Sequence, residues 1–191
     1  MIAGVQSYIT LYENTFSKED SQNLIEKFEK YSQYHDKKLI DAKDGWRMTF
    51  TQLHLSRHPE FKNENERLKR LFLEGVSAYK REHDIQPHQW PKEFKFEPIR
   101  MKRYLPNHDE RFDDHVEVTN LQTAKRFLVV FLYLNDDFEG GETDFTQFGI
   151  MAKPKQGTMV LFPAGWNWLH RGRAVFGKNP KYIVGTILNY V

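Results

Sequence analysis

His115 and Glu117 stand two residues apart in "RFDDHVEV", residues 111–118, and His170 follows later in "WNWLHRGRAV". In a strand, residues i and i+2 point to the same face, so this spacing sets an imidazole and a carboxylate side by side. Two histidines and one carboxylate are the ingredients of a facial triad, which holds Fe(II) from one side and leaves the other side open for substrate and oxygen. On this reading His115 and Glu117 come from one strand and His170 from a strand packed opposite it. Spacing by itself is weak evidence. The chain has 8 histidines, and a second H-x-E occurs at His108 and Glu110, in a stretch that reads as a loop. On spacing alone, a solvated polar strand face is the more ordinary account of His115 and Glu117.

The elements that must position these residues are legible from hydrophobic period and turn chemistry. "YITLYENTF" reads as a short strand. "SKEDSQNLIEKFEKYSQY" reads as a helix with Ser17 as its N-cap and Leu24, Ile25 and Phe28 as its apolar stripe. "WRMTFTQLHL" reads as a strand. "NENERLKRLFLEGVSAYKREHDI" reads as a second helix with Leu68, Leu71, Phe72, Val76 and Tyr79 on one side, and "HQWPKEF" as a loop. From about residue 95 onward the text becomes short strands separated by turns: "FKFEPIRMKRYL", "DDHVEV", "KRFLVVFLYLN", "TDFTQFGIMA", "GTMVLFPA", "NWLHRGRAV" and "KYIVGTILNYV". "RFLVVFLYL" is apolar at every position after its arginine, as a strand covered on both faces should be, and the helices are the available cover. The pattern predicts an α+β fold, with helices packed on one sheet of an all-β sandwich or barrel.

Bulk properties narrow the function classes. At 191 residues the chain suits one domain. With no cysteine it can carry neither disulfides, zinc–thiolate sites nor a cysteine nucleophile. A net charge of +2 gives no support to nucleic-acid or membrane-surface binding. The basic, aromatic-interleaved "KEFKFEPIRMKR" is equally well a half-buried strand with a solvated basic face. The start of the sequence has no signal-peptide pattern, and no run is apolar enough to span a membrane. The expectation is a cytoplasmic protein.

Taken together, several blocks of the sequence resemble the prolyl 4-hydroxylase-like 2-oxoglutarate- and Fe(II)-dependent dioxygenases. They are "RYLPNHDERFDDHVE", "FLYLNDDFEGGETDF" and "KPKQGTMVLFPAGWNWLHRGRAVFGKNPKYIVGTIL", which occur in the family's order over roughly residues 98–191. The resemblance implies a double-stranded β-helix, or jelly-roll, core over residues 96–191, with residues 1–95 as a helical support region of the same single domain. It implies His115, Glu117 and His170 as iron ligands. Lys181 would pair with the far carboxylate of 2-oxoglutarate, Tyr133 would hydrogen-bond it, and Tyr104 and Thr143 would line the cosubstrate pocket. The implied reaction is hydroxylation of an unactivated C–H with O2, favouring a prolyl residue in a peptide or protein. Fe(II) and 2-oxoglutarate are the implied cofactors, with ascorbate as an optional addition. Two departures from the family pattern stand out: Glu117 replaces the usual Asp, and Lys181 lies one position further from His170 than expected, which leaves Lys178 as a competitor. The rival readings are a nucleic-acid dealkylase of the same cofactor class and a non-catalytic β-helix binding module. "VTNLQTAK" and "SRHPEFKNEN" are the candidate lids.

Overall fold

The computed structural model describes residues 7–106 and 110–191. In chain order its strands are β1 (Thr10–Tyr12), β2 (Asp36–Asp41), β3 (Arg47–His54), β4 (Phe94–Phe96), β5 (Arg100–Tyr104), β6 (Phe112–His115), β7 (Arg126–Tyr133), β8 (Glu139–Gly140), β9 (Thr143–Phe145), β10 (Ile150–Ala152), β11 (Met159–Pro163), β12 (His170–Gly172), β13 (Val175–Phe176) and β14 (Lys181–Tyr190). The α-helices are α1 (Lys18–Lys30) and α2 (Lys62–Glu82).

The helices form where the apolar stripe and caps call for them. The Ser17 side chain accepts the Asp20 N–H at the start of α1, which satisfies one of the donors a helix start leaves free. Leu24 and Phe28 of α1 and Leu68, Phe72, Val76 and Tyr79 of α2 are buried against one face of the sheet. That face presents Leu128, Val130 and Leu132 of β7 beside Met101, Leu161, Val184 and Leu188. The alternate residues of β7, Val129, Phe131 and Tyr133, face a second core with Phe145, Val160, Phe162 and Ile187. The unbroken apolar run thus reflects burial on both faces: helices on one side, the interior of the β-structure on the other.

All pairings are antiparallel. The main sheet runs β1-β11-β7-β14-β5-β3-β6-β12-β9-β10, with β2 added to β3 and β4 to β14, while β8 and β13 form a separate ribbon. The sheet curls so that β5, β7 and β14 lie across a cavity from β6, β9 and β12, each contributing residues to its wall. This is the double-stranded β-helix. Gly185 permits the β14–β7 pairing at its tightest point. A Cβ there would meet the Phe131 Cβ at 2.5 Å and the Val130 carbonyl oxygen at 2.6 Å. Gly185→Ala is therefore expected to destabilise the fold by about 1–3 kcal/mol, the usual cost of overpacking. Equilibrium denaturation checks this, and an unchanged midpoint would mean the ladder yields freely there.

Several predicted elements differ in detail. "FKFEPIRMKRYL" is two strands rather than one, because Pro98 cannot donate to a ladder. "TDFTQFGIMA" is broken by a turn that closes on Gly149 at φ +64°. β2, rich in lysine and aspartate and mostly exposed, carries no strand signal in its composition. β6 ends at His115, so Glu117 lies on the bend beyond the strand.

Candidate active site

β6 and β12 are adjacent strands, and His170 is the direct cross-strand partner of His115. This corrects the expectation that His170 comes from an opposing strand. The two imidazole rings lie 4.2 Å apart, centroid to centroid. Glu117 reaches back from its bend, placing Oε1 3.8 Å from His115 Nε2 and 3.9 Å from His170 Nε2. The donor atoms of the three residues all lie within 4.8 Å of one another.

Hydrogen bonds and packing fix the orientation of these groups. His115 Nδ1 lies 2.8 Å from the Asp113 carbonyl oxygen, and His170 Nδ1 lies 2.9 Å from the Trp168 carbonyl oxygen. A carbonyl can only accept, so each Nδ1 carries a proton and each Nε2 is left facing the other ligand candidates. Phe112 stacks on His115, while Phe145 and Phe162 pack about His170. Burial, reinforced by the nearby His115, pushes the His170 imidazole down to about 4, so it is neutral near pH 7. Burial works to raise the Glu117 carboxyl, but the facing side chains of His115, His170 and Lys102 outweigh it and hold the group ionised. Arg126 fixes this carboxylate from behind. Its Nη1 donates to the Glu117 carbonyl oxygen at 3.0 Å and to Oε2 at 3.3 Å, leaving Oε1 for the histidines. Glu97 anchors Arg126 in turn through two bonds, of 2.7 and 3.1 Å.

Lys181 lies in the cavity wall at 2% exposure. Its Nζ donates to the Gly141 carbonyl oxygen at 2.9 Å and sits 4.4 Å from the centre of the Tyr104 ring, its cross-strand neighbour. Burial, together with the charge of Lys102, pushes its ammonium down to about 7, with Glu142 opposing. Gly141 leaves room for this arrangement: it has φ +68°, and a Cβ there would meet Lys181 Cδ at 3.0 Å. Lys178 is exposed on the turn before β14.

Tyr104 and Thr143 both line the cavity. Tyr133 is fully buried and sits behind Thr143 rather than in the wall. Its hydroxyl is 2.7 Å from Thr143 Oγ1 and 3.1 Å from the Ala152 carbonyl oxygen, so it reaches the cavity through Thr143. Arg171 turns away from the cavity to Asp144, and Trp166 is exposed. His108 lies outside the described residues. Its companion Glu110 is buried and accepts the Leu105 N–H, so it serves the local backbone.

Arg100 and Lys102 also line the cavity, although the sequence pattern alone suits a solvated face equally well. The signal was present: they stand four and two residues before Tyr104, on the same face of β5. Neither candidate lid supplies a residue to the wall. The segment 56–65 instead packs into the helical layer, with Phe61 fully buried.

Comparison with known proteins accords with this geometry. Residues 99–189, which span the three clustered residues and Lys181, match the 2OG-Fe(II) oxygenase superfamily. Curated protein sequences give no match. Among solved structures, the chain is similar to a viral collagen prolyl hydroxylase from Paramecium Bursaria Chlorella virus-1, in complex with 2OG. The TM-score is 0.70 at 19% identity, covering 96% of each chain. A prolyl hydroxylase from Trichoplax adhaerens, in complex with a hypoxia inducible factor peptide fragment, gives a TM-score of 0.74 at 10% identity over 96% of this chain and 84% of that one. A Pseudomonas putida prolyl-4-hydroxylase gives 0.65 at 13% identity over 97% and 94%. At these identities the likeness establishes the fold. Among the described residues no helix is long and apolar enough to cross a membrane. With two imidazoles, an ionised carboxylate and a buried lysine in one cavity, the donor set fits Fe(II) and a dicarboxylate, and the match of residues 99–189 to the 2OG-Fe(II) oxygenase superfamily, within a prolyl hydroxylase-like fold, supports an Fe(II)- and 2OG-dependent dioxygenase.

Proposed function

We propose that His115, Glu117 and His170 hold Fe(II), that Lys181 binds the far carboxylate of 2-oxoglutarate, and that the enzyme hydroxylates an unactivated C–H, favouring a prolyl residue in a peptide or protein. The carrying observation is the convergence of three ligand-ready donors in a cavity that also holds a buried lysine. The preference for a peptide substrate is supported by the prolyl hydroxylase neighbours, one of which was solved with a peptide. On this reading the whole chain acts as one dioxygenase domain, with residues 1–95 supporting the β-helix.

When bound, Fe(II) and 2-oxoglutarate supply oxygen activation coupled to decarboxylation of the cosubstrate to succinate and CO2. The chain's residues prepare that chemistry. His115 and His170 present their Nε2 atoms, fixed by their Nδ1–H bonds to backbone carbonyls. Glu117 brings one negative charge, steered by Arg126. Val129, Phe131, Phe162, Ile183 and Ile187 give the cavity an apolar wall that limits water. Thr143, held by Tyr133, offers a hydroxyl on the same wall. Succinate formation from 2-oxoglutarate, followed by a one-oxygen mass gain in a proline-containing peptide library, tests the proposal. Absence of succinate from the iron-loaded protein would overturn it.

Two variants probe the parts. Lys181→Ala is expected to weaken 2-oxoglutarate binding more than tenfold, since removing one partner of a desolvated charge pair costs about 2–5 kcal/mol. Lys178→Ala, on an exposed turn, should leave it unchanged. Calorimetric titration decides between them, and a reversed order would transfer the role to Lys178. Arg126→Met frees the Glu117 Oε2 and should lower metal affinity about 10–100-fold, the usual effect of losing a group that orients a ligand. Competition with a metallochromic chelator measures this, and unchanged affinity would show that Glu117 needs no support.

A further inference from the structure

Lys102 brings a positive charge into the cavity that Glu117 attracts without pairing with it. β5 turns Arg100, Lys102 and Tyr104 to the cavity wall. Arg100 is taken up by Glu97 at 3.3 Å, and Glu97 and Glu117 are both committed to Arg126. Among the described residues, Lys102 Nζ has no hydrogen-bond acceptor and no carboxylate within ion-pair reach. It lies over ring faces instead, 4.5 Å from the centre of Phe50 and 5.6 Å from that of Phe112. Phe112 stacks on His115, which places the ammonium beside the clustered histidines. A ring face compensates only part of what an enclosed ammonium loses on leaving water. Burial is also the main reason its ammonium is pushed down to about 8.

A positive charge held this way is poised for an anion that arrives from outside. We propose that Lys102 is a second carboxylate-binding residue of the cavity, distinct from Lys181. The carboxylate has two possible sources: the metal-proximal end of the cosubstrate, or an acidic group on the substrate. Lys181 donates to the Gly141 carbonyl oxygen and lies over the Tyr104 ring, whereas Lys102 lies over the Phe50 and Phe112 rings. The inference rests on the proposed function in one respect, the assignment of Lys181 to the far carboxylate.

The test uses the full chain loaded with Zn(II), which permits binding without turnover. Wild type, Lys102→Met, Lys102→Arg and Lys181→Met are titrated calorimetrically with 2-oxoglutarate. Each is then titrated with N-acetyl-L-proline and with the neutral N-acetyl-L-prolinamide, both with and without saturating 2-oxoglutarate. A tenfold or greater loss of 2-oxoglutarate affinity in Lys102→Met, with affinity retained in Lys102→Arg, assigns the carboxylate to the cosubstrate. Unchanged 2-oxoglutarate affinity, with a wild-type preference for the acid over the amide that Lys102→Met erases, assigns it to the substrate. If Lys102→Met changes neither 2-oxoglutarate affinity nor the acid–amide preference, the proposal is overturned. Met matches the length of the lysine stem and suits the aromatic surroundings, and the thermal midpoint of each variant verifies folding. Failure of Lys181→Met to weaken 2-oxoglutarate would strike the Lys181 assignment alone, because the acid–amide comparison without cosubstrate still reads Lys102.

Discussion

His170→Ala is expected to abolish both stable iron binding and succinate formation. The His170 side chain is 7% exposed, and its Nε2 faces Glu117 Oε1 and lies beside the His115 ring. Without it the cavity keeps one imidazole and one carboxylate, too few protein donors to hold Fe(II) while leaving positions open for cosubstrate and oxygen. The truncation also leaves space between Phe145 and Phe162, so some loss of stability will accompany it. His170→Gln fills most of that space and serves as the control for folding. Metal analysis after desalting and a succinate assay decide the matter. Full iron content in a folded His170→Ala protein would remove this residue from the ligand set.

Changes at Glu117 should separate reach from charge. Glu117 sits on a bend past the end of β6, and Arg126 grips both its carbonyl oxygen and Oε2. The bend and the longer side chain act together to bring Oε1 between the two histidine Nε2 atoms. Glu117→Asp keeps the charge but shortens the arm by one methylene. With the backbone held by Arg126, the carboxylate falls back from both imidazoles, and a positioning error near 1 Å can cost about a hundredfold in rate. Glu117→Gln keeps the length but loses the charge that offsets the metal, and should do worse in iron content as well as turnover. Metal occupancy and 2-oxoglutarate decarboxylation, measured on both variants, read the two contributions separately. A Glu117→Gln protein with full iron and full turnover would return the H-x-E to a mere polar surface feature.

Much of this protein is determined by chemistry local to each segment of the chain. The stripe of Leu24 and Phe28 and the Ser17 cap specify α1 because helical period and capping act within a few residues. The unbroken apolar run of β7 specifies a strand buried on both faces. The order of the blocks from Tyr104 to Lys181 carries the family resemblance. What only the tertiary structure decided were the long-range relations. That β12 lies directly beside β6, making His170 the cross-strand partner of His115, depends on pairing between segments far apart in the chain, and neither segment encodes its neighbour. The same holds for Arg100 and Lys102. Alternation places them on one face with Tyr104, but whether that face meets water or the cavity depends on how the whole sheet curls. Tyr133 shows the reverse case, a residue on the interior face that the closing of β9 and β10 seals behind Thr143. Side-chain period is a property of a segment, whereas an active-site wall is made by segments whose association is settled only when the entire core packs.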